Sequence, residues 1–426
     1  MSEVATHDER AAVLARRAKD ASALMAAATT AAKDRALLLA ADELLGERGR
    51  RVLAENQADL DLARGGGLAA PLLDRLRLDE ARLADLARTL REVAALPDPV
   101  GRIDALTPRP SGIQVGRMQV PLGVVLIVYE SRPNVTLDAA ALCLKAGNAV
   151  LLRGGKEALA TNRALAAILH HALNEAGLPA DAAPFVDDPD RELLYALLRR
   201  SGDIDLAIPR GGTALIDAVN QHARVPVIQH YQGICHVYVH AHADLAMATR
   251  VAVNAKVQRP GVCNATECVV VDQAVAPVFL PRLVEELGKH RVSLVGCDQT
   301  RAIVPQVAPA GPADFDTEFL SLTCALKVVD GMDEALAFLR AHGSRHTEAI
   351  VTNDYAAAMR FLREVDASCV LVNASTRFND GGELGLGAEL GISTTKLHAY
   401  GPMGLEELCA RKFIVLGHGE TRGSPP

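Results

Sequence analysis

The feature that most constrains this chain is a change of rhythm after residue 120. The run Gly123 to Glu130, centred on Val124-Val125-Leu126-Ile127-Val128, is apolar almost without a break. Leu137 to Lys145 then carries apolar residues at helical spacing, and Ala149 to Arg153 is apolar again. A strand with two apolar faces has no solvent side, so it belongs inside a sheet covered by helices. A strand, helix, strand order makes that sheet parallel. The alternation continues through helical spacing over Thr161 to Ala176, a short strand at Ile204 to Ile208 and an extended stretch from Val225 to Val239. A second series has strands at Glu267–Val271, Ala325–Val329, Ala349–Val351 and Val370–Val372, with helices such as Pro277–Leu287 and Asp333–Ala341 between them. The expected fold class is α/β: two domains with parallel-type sheets, joined near residue 240.

Residues 1 to about 100 are rich in Ala, Leu and Arg at helical spacing, and Gly65-Gly66-Gly67 breaks them as a loop. Ile113-Gln114-Val115 and Met118-Gln119-Val120 alternate around Gly116-Arg117, which predicts a short hairpin. The 426 residues leave room for two or three domains. Lys plus Arg is 45 against 52 Asp plus Glu, and a net charge of -7 gives no global attraction to nucleic acid or to an anionic membrane. The longest Val/Leu/Ile run is Val124 to Val128, far below the ~20 apolar residues that span a bilayer. The first ten residues are polar and acidic, without the marks of a secretory signal. The eight cysteines are scattered, which fits reduced thiols in a soluble cytoplasmic protein better than disulfides, and none completes a zinc set. With no Trp and 3% aromatics, a base-stacking surface is not expected.

Three places carry chemistry. Cys263 follows the turn Arg259-Pro260-Gly261 and precedes a strand, beside Lys256 and Arg259, and nearby cations lower a thiol pKa from ~8.5 toward neutrality. An inert cysteine at a loop-strand junction would give the same local pattern. Arg153-Gly154-Gly155-Lys156 and Pro209-Arg210-Gly211-Gly212-Thr213 each end a strand and open a helix. Each alone also reads as an ordinary βα turn, but together they favour an anionic cofactor, offering close backbone approach and a cation. No G-x-G-x-x-G follows a strand; the look-alike Gly385-Leu386-Gly387 to Gly391 has the wrong spacing and reads as a packed loop.

Longer stretches carry a resemblance. Val120-Pro121-Leu122-Gly123 through Tyr129-Glu130-Ser131-Arg132-Pro133-Asn134-Val135-Thr136 and on to Val150, and Gln258-Arg259-Pro260 to Glu267, are two of them. Val372-Asn373-Ala374-Ser375-Thr376-Arg377-Phe378 and Leu386 to Thr394 are two more. Together they resemble the glutamate-5-semialdehyde dehydrogenases (γ-glutamyl phosphate reductases), a branch of the aldehyde dehydrogenase superfamily, over about residues 10 to 418. The resemblance implies NADPH-dependent reduction of L-glutamyl 5-phosphate to glutamate 5-semialdehyde, the second step of proline biosynthesis, with NADP as cofactor and no metal. It implies an NADP-binding domain of residues 1–107 and 121–236, and a catalytic domain of residues 237–385. An oligomerisation arm and C-terminal segment would comprise 108–120 and 386–426. A homo-oligomer is implied, and the lability of an acyl phosphate makes association with glutamate 5-kinase an expectation.

By the same resemblance Cys263 is the nucleophile and Asn134 the side-chain donor to the oxyanion, with the Cys263 N–H as second donor. Arg153, Gly154, Lys156, Arg210, Gly211, Gly212 and Glu318 are the cofactor-binding candidates, Glu318 resembling the residue that holds the nicotinamide ribose. Arg132, Ser375 and Arg377 are the candidates for the substrate's glutamate end. Where hydrolytic relatives carry a catalytic glutamate, this chain reads His230-Tyr231-Gln232-Gly233, with no carboxylate to activate water. Tyr400 stands where relatives often have Arg, and Cys268, close to the nucleophile, where many have Thr; a small buried site is the expectation for Cys268. A CoA-acylating or hydrolysing enzyme, and a non-catalytic scaffold, are the competing readings.

Overall fold

The protein is described by a computed structural model covering residues 6–228 and 232–423. It divides into two compact units: the described parts of Met1–Gln229, Leu386–Gly391 and Met403–Pro426 form the first, and those of His230–Gly385 and Ile392–Pro402 the second. The division thus falls before residue 240, because the strand Cys235–Val239 pairs with Thr347–Val351 and Thr266–Asp272 in the second sheet.

In the first unit, Val124–Tyr129 lies between Ala149–Arg153 and Leu206–Arg210 in a parallel sheet, and single bridges at Phe185 and Val227 extend its two edges. All six residues of Val124–Tyr129 are buried, as a central parallel strand requires. Burying each of its large aliphatic side chains is worth about 1.5–3 kcal/mol relative to exposure. Helix His7–Ala26 starts at a capping box in which Thr6 and Glu9 bond reciprocally. It buries Ala11, Ala15 and Ala18, spaced four and three apart, in the same core as Val124 and Leu126. On the helices of this unit Lys145 pairs with Asp34 and also donates to the Ala94 carbonyl, so both ends of a buried cation are answered.

The hairpin differs from the sequence expectation. Gln114–Pro121 is one continuous strand, antiparallel to Ile103–Pro108 on one side and to Cys409–Leu416 on the other. The hairpin turn is at Arg109–Gly112, where the Gly112 N–H donates to the Arg109 carbonyl and Gly112 has φ 92°. Gly116 is therefore not a turn residue. A Cβ there would stand 3.2 Å from the Asp104 carbonyl oxygen and 2.9 Å from Leu106, opposite a register shift between Asp104 and Thr107. A glycine inside a strand can signal such close approach as readily as a turn.

The second unit is a parallel sheet of seven strands among the described residues, in the order Cys369–Val372, Thr347–Val351, Cys235–Val239, Thr266–Asp272, Thr323–Val329, Ser293–Gly296, Ala308–Pro309. Helices Leu245–Val257 and Ala276–Lys289 contribute to one core cluster and Gly331–His342 to another. Among the described residues of Val225 to Val239, Cys235–Val239 is a strand and Val227 forms a single bridge. No helix among the described residues is long and apolar enough to cross a membrane. No group of three or more His, Cys, Asp or Glu among them is placed to hold a metal.

Candidate active site

The loop between helix Leu245–Val257 and strand Thr266–Asp272 presents Cys263, half-buried and outside any disulfide. The loop is held from several sides. Ala265 N–H donates to the Val262 carbonyl at 3.1 Å, and Asn264 Nδ2 donates to the Asn379 carbonyl at 2.9 Å. Beneath it the buried Cys235 thiol donates to the Cys263 carbonyl oxygen at 3.1 Å. Burial pushes the Cys235 pKa well up, so this thiol stays protonated and serves as a donor. Cys268 is also fully buried with its pKa raised, a small core residue as expected.

Gly233 backs the same loop. A Cβ at that position would lie 1.9 Å from the Cys263 carbonyl oxygen and 2.8 Å from its Cα, and backbone atoms cannot rotate away. Gly233→Ala is therefore expected to displace the Cys263 backbone. Overpacking of this kind costs about 1–3 kcal/mol of stability, and a shift near 1 Å costs about 10²-fold in turnover. Thermal melts and kcat on the variant check both. His230 and Tyr231, earlier in this segment, lie outside the described residues.

The Gly233 N–H donates to Glu318 Oε1 at 3.0 Å, so the glutamate singled out for the cofactor also fixes the glycine behind Cys263. Burial raises the Glu318 pKa, against the pull of that N–H and of Lys256. Two residues on, Leu320 has φ 51° and its N–H reaches Glu267 Oε1 at 3.4 Å. Glu267 in turn pairs with Lys256 at 2.5 Å, both completely buried. Lys256 is thus paired directly with Glu267. Burial pushes the Glu267 carboxyl up to about 7 in spite of the lysine.

Arg377 comes to the Cys263 loop from the short turn Thr376–Phe378. Its Nε donates to Gln258 Oε1 at 2.7 Å, and its charge interacts with Cys263 and Asp380. Ser375 is buried and its hydroxyl accepts from the Arg377 N–H at 3.3 Å, so it shapes the turn that carries Arg377. The Tyr400 hydroxyl donates to Asp366 at 3.1 Å, and Lys396 pairs with the same carboxylate at 2.7 Å.

The first unit gathers its candidates at the carboxyl ends of its parallel strands. After Val124–Tyr129, Ser131 has φ 45°, which costs a non-glycine residue on the order of 1 kcal/mol. Glu157 holds it there, accepting from Ser131 N–H at 2.6 Å and from its hydroxyl at 2.8 Å. Arg132 is partly buried in this turn. Asn134 caps helix Val135–Lys145 by position only, since its side chain makes no cap hydrogen bond. Instead Nδ2 donates to Asp138 Oδ2 at 2.8 Å.

At the end of Ala149–Arg153, Arg153 Nη2 donates to the Pro189 carbonyl at 2.7 Å while its Nε is buried without a partner. Gly154 is packed against Asn162, whose Nδ2 is likewise buried and unpaired, and Lys156 is exposed. Orphaned donors beside an exposed cation fit an anionic nucleotide. At the other turn Gly211 and Gly212 are exposed, but the Gly212 N–H donates to Glu130 Oε2 at 3.2 Å. An anion entering there must displace that carboxylate. Arg210 lies against Gly391, and its charge acts on Asp138.

Comparison with known proteins agrees with these motifs. The aldehyde dehydrogenase family model matches residues 3–310. A γ-glutamyl phosphate reductase of Solidesulfovibrio magneticus is 56% identical over 96% of this chain and 98% of its own length. One from Geobacter metallireducens is 51% identical over 97% and 99%. The crystal structure of γ-glutamyl phosphate reductase from Thermotoga maritima superposes with a TM-score of 0.94 at 43% identity, covering 97% of this chain and 99% of that one. The chain belongs to the γ-glutamyl phosphate reductases, within the aldehyde dehydrogenase family.

Proposed function

We propose that this chain reduces L-glutamyl 5-phosphate to glutamate 5-semialdehyde and phosphate, with NADPH, through a thioester on Cys263. The observation that carries the reading is the nucleophile's loop, whose thiol is reachable while its backbone is clamped by Cys235, Asn264 and Gly233. Full-length similarity to reductases of this name supports it. The Cys263 thiolate attacks the acyl carbon, a C–S bond forms, and phosphate leaves with its bonding electrons. NADPH supplies the hydride that reduces the thioester when bound. The resulting thiohemiacetal collapses, the C–S bond breaks and Cys263 is released. Asn134 donates to the carbonyl oxygen as it becomes anionic in both steps. Arg153 and Lys156 hold the cofactor's phosphates, Arg210, Gly211 and Gly212 take part once Glu130 is displaced, and Glu318 holds a ribose hydroxyl. Arg377 and Arg132 neutralise the substrate's carboxylate, with Ser375 fixing the Arg377 turn.

The test runs the reaction backwards. Purified protein is mixed with glutamate 5-semialdehyde and NADP, and NADPH absorbance is followed with and without phosphate. Turnover that requires phosphate supports the reading. Turnover without it points to a hydrolytic enzyme, a requirement for CoA to an acyl-CoA reductase, and silence from folded, reduced protein to a scaffold.

A further inference from the structure

We propose that Asp138 is the positioning residue that holds the Asn134 side chain with its N–H₂ end toward the reacting carbonyl oxygen. The inference rests on the reading of Asn134 as oxyanion donor.

The geometry is local to one helix. Asn134 and Asp138 are four residues apart at the start of Val135–Lys145, so their side chains lie over one another, and Nδ2 meets Oδ2 at 2.8 Å. An ionised carboxylate only accepts, so it selects one face of the amide: the nitrogen, never the carbonyl oxygen. The amide has two N–H bonds. One is spent on Asp138, which leaves the other, fixed in the same plane, for a ligand. Without the carboxylate nothing tells the two ends of the amide apart. A half-turn about the last torsion would then present the Asn134 oxygen to a developing negative charge. An ionised acceptor also polarises the amide, which makes the remaining N–H a better donor.

The surroundings argue for function over stability. Burial pushes the Asp138 carboxyl up to about 6, while the Asn134 hydrogen bond from its own helix and Arg210 at the end of the neighbouring strand pull it down. A carboxyl raised in the folded state favours folding most at low pH. That contribution is lost as pH rises from the unfolded value toward 6, so the ionised form found at neutral pH costs stability. Asn134 meanwhile gives its own helix no cap. A site that stores a destabilising charge beside a residue that skips its structural task is explained by orientation of the amide.

Four variants test this: Asn134→Ala, Asp138→Asn, Asp138→Leu and Asn134→Ala with Asp138→Leu. The readouts are kcat and KM across pH, thermal midpoint, and the rate at which iodoacetamide alkylates Cys263. Asn134→Ala is expected to lower kcat by about 10²–10³-fold. Asp138→Asn should lower it roughly tenfold, and Asp138→Leu, which cannot accept, further still, with KM changed less than about twofold. Both Asp138 variants should melt higher than wild type near neutral pH and lose the fall in kcat expected of wild type as pH drops through about 6. Alkylation should be unchanged, since the thiol is not involved. The double variant should be no slower than Asn134→Ala alone. If Asn134→Ala slows turnover but the Asp138 variants do not, or their losses add to it, Asp138 has no positioning role. Should Asn134→Ala itself leave kcat intact, the oxyanion reading fails first and this inference goes with it.

Discussion

Cys263→Ala is expected to bring phosphate-dependent turnover down by on the order of 10⁵–10⁶-fold, the scale on which a covalent nucleophile is lost. Nothing else should change much. The thiol is half-buried, and the clamps on its loop use the Cys263 carbonyl, the Asn264 side chain and the main chain, all of which survive the substitution. The melting midpoint should stay within a few degrees. NADPH binding should persist, and its own fluorescence reports it in a chain without Trp. A large drop in stability would mean that the side chain packs the loop, and undiminished turnover would move the nucleophile elsewhere.

The second large effect is on folding. Lys256→Met leaves Glu267 in a fully buried site without its cation, and breaking such a pair typically costs about 3–5 kcal/mol. Replacing both partners, Lys256→Met with Glu267→Leu, should recover most of that loss, because no charge then remains to be desolvated. The pH dependence has a definite sign. Glu267 is raised from 4.5 to about 7 by burial, so its ionisation in the folded protein opposes folding, and stability falls as pH rises through that window. Without Lys256 the carboxyl is raised further, so the decline should extend to higher pH. Urea melts of the two variants between pH 5 and 9 distinguish these outcomes. Recovered stability need not restore turnover, since Glu267 also receives the Leu320 N–H beside the turn that carries Glu318.

What could be read from the residues follows from how far each signal reaches along the chain. Val124–Tyr129 announces itself because a central parallel strand is apolar on both faces, and its neighbours repeat the pattern at helix-length intervals. Ser293–Gly296 and Ala308–Pro309 leave no such signal because they are short, take the last two places of the sheet and keep few apolar residues. Gly116 was misleading because glycine has the same signature in a turn and at a close crossing of strands. Cys263, Asn134 and Arg377 stand in long motifs. Asp138 went unnoticed because a carboxylate in a helix looks like a solvated face. Cys235, Gly233 and the Lys256–Glu267 pair act through contacts across strands and loops, which no local pattern encodes.

The third strand of this antiparallel sheet, Cys409–Leu416, has a consequence for how the protein is made. Gln114–Pro121 pairs along its whole length with Cys409–Leu416, and the Leu408 carbonyl also receives Asn148 Nδ2 at 2.9 Å. On the ribosome the first partner emerges about 290 residues before the second, which at ~5–20 residues per second is roughly 15–60 s. Through that interval the nascent chain carries an unpaired strand edge that another polypeptide can occupy. The first unit can close only after Cys409–Leu416 has been synthesised.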